Sequence, residues 1–112
     1  MYLKKRLQKD GWDNVYTWSY IPPFKNIAYY AEQLKNKAND IMNETSQTKI
    51  ILIGHSMGGL LARYYISHLE GKSFVEKLVT IGTPHKGTQL WSFTYSPCGI
   101  EMRPESDFLT KL

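Results

Sequence analysis

The chain has 112 residues, 42% hydrophobic and 13% aromatic, enough for one small globular core but not for two domains. A formal charge of +4 gives it a mildly basic surface and no strong electrostatic signature. No apolar run approaches the roughly 18 residues of a membrane span, and the charged start MYLKKRLQKDGW lacks the apolar centre of a signal peptide, so the compartment stays open.

In chain order, Tyr2, Leu3 and Leu7 fall on one side of a short helix that ends near Gly11, a C-cap. Its cluster Lys4, Lys5, Arg6 and Lys9 suits a solvated face. No stacking aromatics interleave it, so a nucleic-acid partner is not expected, while transient contact with a lipid interface stays open. Val15 to Tyr20 (VYTWSY) is rich in β-branched and aromatic residues and reads as a strand, stopped by Pro22 and Pro23. From Asn26, apolar residues at Ile27, Tyr30, Ala31, Leu34, Ala38, Ile41 and Met42 predict an amphipathic helix. Glu32, Lys35, Lys37 and Asp40 occupy its outer face.

The next stretch, KIILIGHSMGGLLARYY, places a serine between glycines directly after an aliphatic run. Ile50, Ile51, Leu52 and Ile53 form the continuous apolar pattern of a strand buried on both faces of a parallel sheet. Leu60, Leu61, Ala62, Tyr65, Ile66 and Leu69 recur at helical spacing, with Gly71 as the expected cap. Val75 to Ile81 reads as a third strand. From Gly82 the chain is irregular until a short helix over Ser106 to Leu112. The order β-α-β-α-β implies an α/β fold, a parallel sheet of about three strands with flanking helices.

Gly54, Ser56 and Gly58 fit G-x-S-x-G, the nucleophile elbow, in which serine occupies a sharp strand-to-helix turn. Side chains at Gly54 or Gly58 are expected to crowd the turn, and Gly59 lets the helix pack closely. The turn, with His55 and Ser56 at its apex, aims the helix N-terminus at the Ser56 hydroxyl. The Met57 N–H then points where charge develops on an attacked carbonyl. A plain turn whose glycines serve only backbone geometry is the bland alternative. The flanking strand and amphipathic helix favour the elbow. A P-loop would need lysine after Gly58 or Gly59, and a dinucleotide fingerprint would need glycine where His55 and Ser56 stand, so no cofactor is expected. With one cysteine, Cys98, neither a disulfide framework nor a cysteine-rich metal site is expected.

GHSMGGLLARYYI, followed by LVTIGTPHKGT and EMRPESDFLTKL, resembles the α/β-hydrolase lipases and esterases of the triacylglycerol lipase type. The likeness extends to eukaryotic relatives that deacylate glycosylphosphatidylinositol anchors, and it covers nearly the whole chain. It implies that the chain is an internal piece of a catalytic domain, spanning the fourth to sixth strands of the family's sheet. The HG-type loop carrying the second oxyanion N–H lies upstream in that family, and the triad acid and histidine lie downstream. The family's third strand lies between its fourth and fifth, so this piece is expected to expose unpaired strand edges.

Within the chain, His55 is expected to point away from Ser56, and His68 lies too far along the elbow helix to reach it. His85, in the loop after the third strand, is the one histidine near enough to approach. The resemblance makes it part of the wall beside the active site rather than the base. Leu90, Trp91, Phe93 and Tyr95 are candidates for an acyl-chain wall, with ordinary packing under a lid as the alternative. Asp107 reads as a first-turn helix residue. The leading function is hydrolysis of carboxylic esters, lipids foremost, by Ser56 through an acyl-enzyme. Acyl transfer on the same fold, or a non-catalytic interaction module, are the alternatives, and the 112 residues alone are expected to be inactive.

Overall fold

The computed structural model of the protein describes residues 2–20, 25–88 and 100–112. In chain order the elements are α1 (Tyr2–Lys9), α2 (Ile27–Thr45), β1 (Ile50–His55), α3 (Met57–His68), β2 (Val75–Ile81) and α4 (Asp107–Lys111), with a 3₁₀ turn at Gly71–Ser73 before β2. Pro22, Pro23 and Cys98 lie outside the described residues.

Local chemistry sets the ends of these elements. Gly11, at φ 102°, terminates α1 as expected: its N–H reaches Gln8 O while the Trp12 N–H reaches Leu7 O, closing a Schellman motif. Asn26 starts α2 in extended backbone, its side chain accepting the Tyr29 N–H at 2.9 Å. Ser106 starts α4 in the same way, accepting the Leu109 N–H at 3.1 Å. The end of α3 differs from expectation. The left-handed residue there is Glu70, at φ 68°, and not Gly71. Gly71 is small for another reason, since a Cβ on it would stand 2.8 Å from the Tyr65 ring.

Among the described residues the sheet has two strands, β1 and β2, paired in parallel with Leu52 opposite Leu78, Ile53 opposite Val79 and Gly54 opposite Thr80. The expected first strand, Val15 to Tyr20, does not form. Strand propensity becomes a ladder only beside a partner, and no described strand lies next to this segment. Its aromatics are used in packing instead: the Trp18 ring lies 5.5 Å from Tyr20, and Tyr20 lies 5.2 Å from Tyr30 of α2.

Burial on both faces of Ile50 to Ile53 is also not observed. α3 packs on one face, where Leu52, Gly54, Leu78 and Thr80 turn inward. On the other, Ile51, Ile53, Val79 and Ile81 remain 40–48% exposed, because no described element covers them. The core therefore lies mainly between the two long helices, where Ile27, Tyr30 and Ala31 of α2 meet Met57, Leu60 and Leu61 of α3. Truncating Leu60 or Leu61, each at most 1% exposed, would cost about 2–5 kcal/mol.

The last residues are fastened to this seam by polar contacts. Glu101 Oε1 accepts the Ile27 N–H at 2.7 Å, satisfying an otherwise orphaned donor at the start of α2. Ser106 Oγ donates to Glu101 O at 2.5 Å, and His68 Nε2 meets Lys111 O at 3.2 Å. Burial pushes the Glu101 carboxyl above its ordinary range, and the Ile27 N–H opposes that rise only in part. A carboxyl whose folded pKa exceeds its unfolded one holds its proton more firmly in the native state. Its contribution is therefore fully present below the unfolded value and declines as pH rises through the folded one. Glu101→Gln keeps an oxygen for Ile27 and removes the titration. Denaturant melts across pH should show wild type losing stability relative to Glu101→Gln as pH rises from about 4.5, then a constant difference.

Candidate active site

β1 ends at His55 and α3 begins at Met57, so the whole turn between them is the single residue Ser56. A strand can reverse into a helix over one residue only through backbone space that L-residues avoid. Ser56 adopts φ 55°, ψ −126°, a conformation that glycine adopts most easily, at a cost of about 1–3 kcal/mol. Three hydrogen bonds hold it there. Its N–H donates to Ile81 O at 2.8 Å, continuing the sheet, and its C=O accepts the Gly59 N–H at 3.1 Å and the Thr83 hydroxyl at 2.8 Å.

The Ser56 side chain is exposed and makes no capping bond to the helix it precedes. Met57, by contrast, buries its side chain in the core to 7% exposure. As the first residue of α3, Met57 has an N–H with no intrahelical acceptor, at the positive end of the helix dipole. An exposed hydroxyl beside an unclaimed backbone donor is an arrangement able to attack a carbonyl and stabilise the resulting oxyanion.

The glycines divide by what surrounds them. A Cβ on Gly54 would lie 2.7 Å from the Gly59 backbone, where the returning helix crosses the strand. A Cβ on Gly59 would overlap Thr83 Oγ1 and stand 2.9 Å from a Thr80 methyl. Gly58 departs from the expected crowding: among the described residues the nearest atom to a Cβ there is Tyr20 Oη at 3.9 Å, ordinary van der Waals contact.

His85 lies in the loop after β2, and both its ring nitrogens are occupied. Arg63 Nη1 approaches Nδ1 at 3.1 Å, and Thr80 Oγ1 lies 3.1 Å from Nε2. A guanidinium only donates, so Nδ1 accepts and Nε2 carries the hydrogen that goes to Thr80. A histidine held in this way has no lone pair available for the Ser56 proton. His55 is exposed at the end of β1, and His68 sits at the far end of α3 against Lys111 O. The expected wall residues Leu90 and Trp91, with Phe93 and Tyr95, lie outside the described residues. A cavity of about 440 Å³ opens elsewhere, between Ala28, Tyr64, Phe108 and Lys111, and Ser56 is not on its wall. Among the described residues no group of three or more His, Cys, Asp or Glu is placed to hold a metal ion, and no helix is long and apolar enough to cross a membrane.

Sequence reasoning placed the loop GTPHKGT beside the active site but assigned no role to Thr83, Thr80 or Arg63, which lie within the stretches LVTIGTPHKGT and GHSMGGLLARYYI. Thr83 and Arg63 act on residues 27 and 22 positions away, whereas Thr80 meets His85 five residues on.

The backbone is similar to that of a Bacillus licheniformis lipase in its mature form, with a TM-score of 0.68 over 81% of this chain and 42% of that one. At 23% identity this likeness is one of fold, the α/β-hydrolase fold. Residues 23–95 match the family described as the PGAP1-like alpha/beta domain, and the chain belongs to this α/β-hydrolase lipase family. Triacylglycerol lipase 2 of Saccharomyces cerevisiae is 33% identical over 93 residues, covering 79% of this chain and 28% of that protein. A triacylglycerol lipase of Pseudarthrobacter phenanthrenivorans is 40% identical over 62 residues, 55% of this chain and 19% of that protein. A GPI inositol-deacylase of Candida albicans is 39% identical over 62 residues, 55% of this chain and 16% of that protein. The chain thus spans 16–28% of these three relatives.

The packing at the turn separates adjacent glycines experimentally. Gly58→Ala should leave stability unchanged or raise it by up to about 1 kcal/mol, through helix propensity. Gly59→Ala should cost about 1–3 kcal/mol or more, because Thr83 must move. Chemical denaturation of the two variants checks both.

Proposed function

We propose that the protein carrying this chain is a serine hydrolase of carboxylic esters, with ester-bonded lipids as the substrate class. The observation that carries the reading is Ser56: strained, exposed, and adjacent to the Met57 N–H at the start of α3. The names of the relatives support the substrate class, since triacylglycerols and acylated inositol anchors share a carboxylic ester as the bond to be cut.

In this mechanism Ser56 Oγ attacks the ester carbonyl while its proton passes to a general base. Negative charge develops on the carbonyl oxygen, where the Met57 N–H meets it. Collapse of the tetrahedral intermediate breaks the bond to the alcohol, which leaves with that proton. Water, deprotonated by the same base, then attacks the acyl-enzyme and releases the acid. The pairing of His85 with Arg63 and Thr80 favours a base supplied from outside these 112 residues, together with its acid partner and a second oxyanion donor. One preorganised oxyanion donor is worth about 3–4 kcal/mol, so the Met57 N–H alone would leave the charge partly unsupported.

Hydrolysis of activated acyl esters by the parent protein tests the assignment. Ser56→Ala should remove nearly all turnover, whereas His85→Ala should lower it moderately, by roughly tenfold through loosened positioning, with circular dichroism and melting unchanged. Undiminished activity in Ser56→Ala would overturn the reading. Robust turnover by the isolated 112 residues, lost in Ser56→Ala, would place a working base within them.

A further inference from the structure

Among the described residues, the loop after β2 hydrogen-bonds the turn at the carbonyl oxygen of Ser56. That oxygen and the Met57 N–H belong to one peptide unit. A trans peptide is planar, with its C=O and N–H pointing in opposite directions, so fixing one end fixes the other. Thr83 Oγ1 donates to this carbonyl at 2.8 Å. We infer that Thr83 is a positioning residue for the oxyanion donor, holding the Ser56–Met57 peptide so that the Met57 N–H faces the reacting carbonyl. The inference rests on the reading of Ser56 as nucleophile.

Two physical effects make the hydroxyl matter. The first is restraint. Ser56 sits at φ 55°, ψ −126°, and rotation of the following peptide would relieve that strain while swinging the Met57 N–H away. Gly59 N–H also holds the carbonyl, but at a longer 3.1 Å and from within the first turn of α3, which moves with the peptide. Thr83 anchors it from a different element. The second effect is polarisation. A donor on a carbonyl oxygen draws charge through the amide and makes the opposite N–H a stronger donor.

Thr83 is itself held before any substrate arrives. Gly82 turns the chain at φ 62°, Pro84 fixes the following backbone, and the His85 N–H closes onto Thr83 O at 2.9 Å. The His85 ring is then clamped between Arg63 of α3 and Thr80 of β2 at 3.1 Å each. The loop is thus tied to α3, which follows the turn, and to β2, the strand paired with β1, and the side chain filling the space above Gly59 is the one that reaches Ser56 O. Gly59 leaves room for this hydroxyl, and the hydroxyl holds the peptide.

Removing the hydroxyl without changing shape is the direct test, made in the parent protein with Thr83→Val, Thr83→Ala and Thr83→Ser beside Ser56→Ala. Loss of a transition-state contact lowers kcat and leaves KM alone. Thr83→Val should therefore drop kcat about tenfold with KM within about twofold, and slow phosphonylation of Ser56 by a fluorophosphonate to a similar extent. Thr83→Ser, which keeps the oxygen and loses the methyl, should recover kcat to within about twofold of wild type. If Thr83→Val does not fold, as judged by circular dichroism, Thr83→Ala against Thr83→Ser carries the same comparison. Wild-type kcat in the folded variants lacking the hydroxyl would overturn the inference while leaving Ser56→Ala inactive and the nucleophile reading intact. So would a Thr83→Ser variant as slow as Thr83→Val, which would assign the effect to the methyl group over Gly59. Full activity in Ser56→Ala would overturn both.

Discussion

The backbone of Ser56 is the constraint on which the neighbouring structure depends. A strand becomes a helix across one residue, and that residue is a serine, so the strain is not relieved as it would be by glycine. The surroundings absorb it. The sheet takes the N–H through Ile81, α3 takes the C=O through Gly59, and the following loop takes the same C=O through Thr83. Each partner brings a steric demand of its own. Because the turn is so short, the start of α3 lies against the end of β1, leaving no room for a Cβ at Gly54. Because Thr83 approaches from above, there is none at Gly59 either. One disfavoured conformation thus dictates the residue type at both positions, while Gly58, outside this chain of contacts, is uncrowded among the described residues.

Stability is distributed unevenly around that turn. The helix–helix seam is densely packed, with Ile27, Leu60 and Leu61 all at most 1% exposed. The outer sheet face is open, and apolar area left in water forgoes about 25 cal/mol per Å². The ties from Glu101 and Ser106 therefore count for more here than they would in a larger core, because they hold the last segment against the start of α2 and the seam behind it. One buried group remains without a partner among the described residues: the Tyr65 hydroxyl, on a ring 1% exposed, whose pKa burial raises. The Tyr65 ring packs against Gly71, where a Cβ would stand 2.8 Å from it, and is held there despite the unsatisfied oxygen.

The sequence was most legible where structure is local. Val75 to Ile81 reads as a strand because its propensity and neighbours agree, and the helix after Asn26 is legible in its apolar spacing, its start then fixed in the structure by the Asn26 cap. Strand, turn and helix around Ser56 were legible for the same reason. Pairing between distant segments was not. Val15 to Tyr20 has the composition of a strand, but a ladder requires a neighbour, which composition cannot guarantee. Ile51 and Ile53 carry the pattern of two-sided burial, while the described elements cover one side only. Glu101, Thr83 and Arg63 gain their roles from contacts with residues far along the chain, and a single residue type at a single position gives no hint of such a partner.

That contrast bears on how the chemistry is divided. In the proposed mechanism the nucleophile and its first oxyanion donor are adjacent residues, so their relative placement is set by one peptide and needs no long-range fold to define it. A general base is different in kind. It must arrive from another part of the chain with its own orienting partner, and within this segment His85, in the loop after β2, is already committed to Arg63 and Thr80. The half of the mechanism concerned with attack and oxyanion support can therefore be written into a short stretch of sequence, whereas the proton-transfer half depends on tertiary assembly. His85 shows the consequence. A residue whose type suits catalysis is used to brace its own loop, and the threonine two residues before it makes the contact that reaches the Ser56–Met57 peptide.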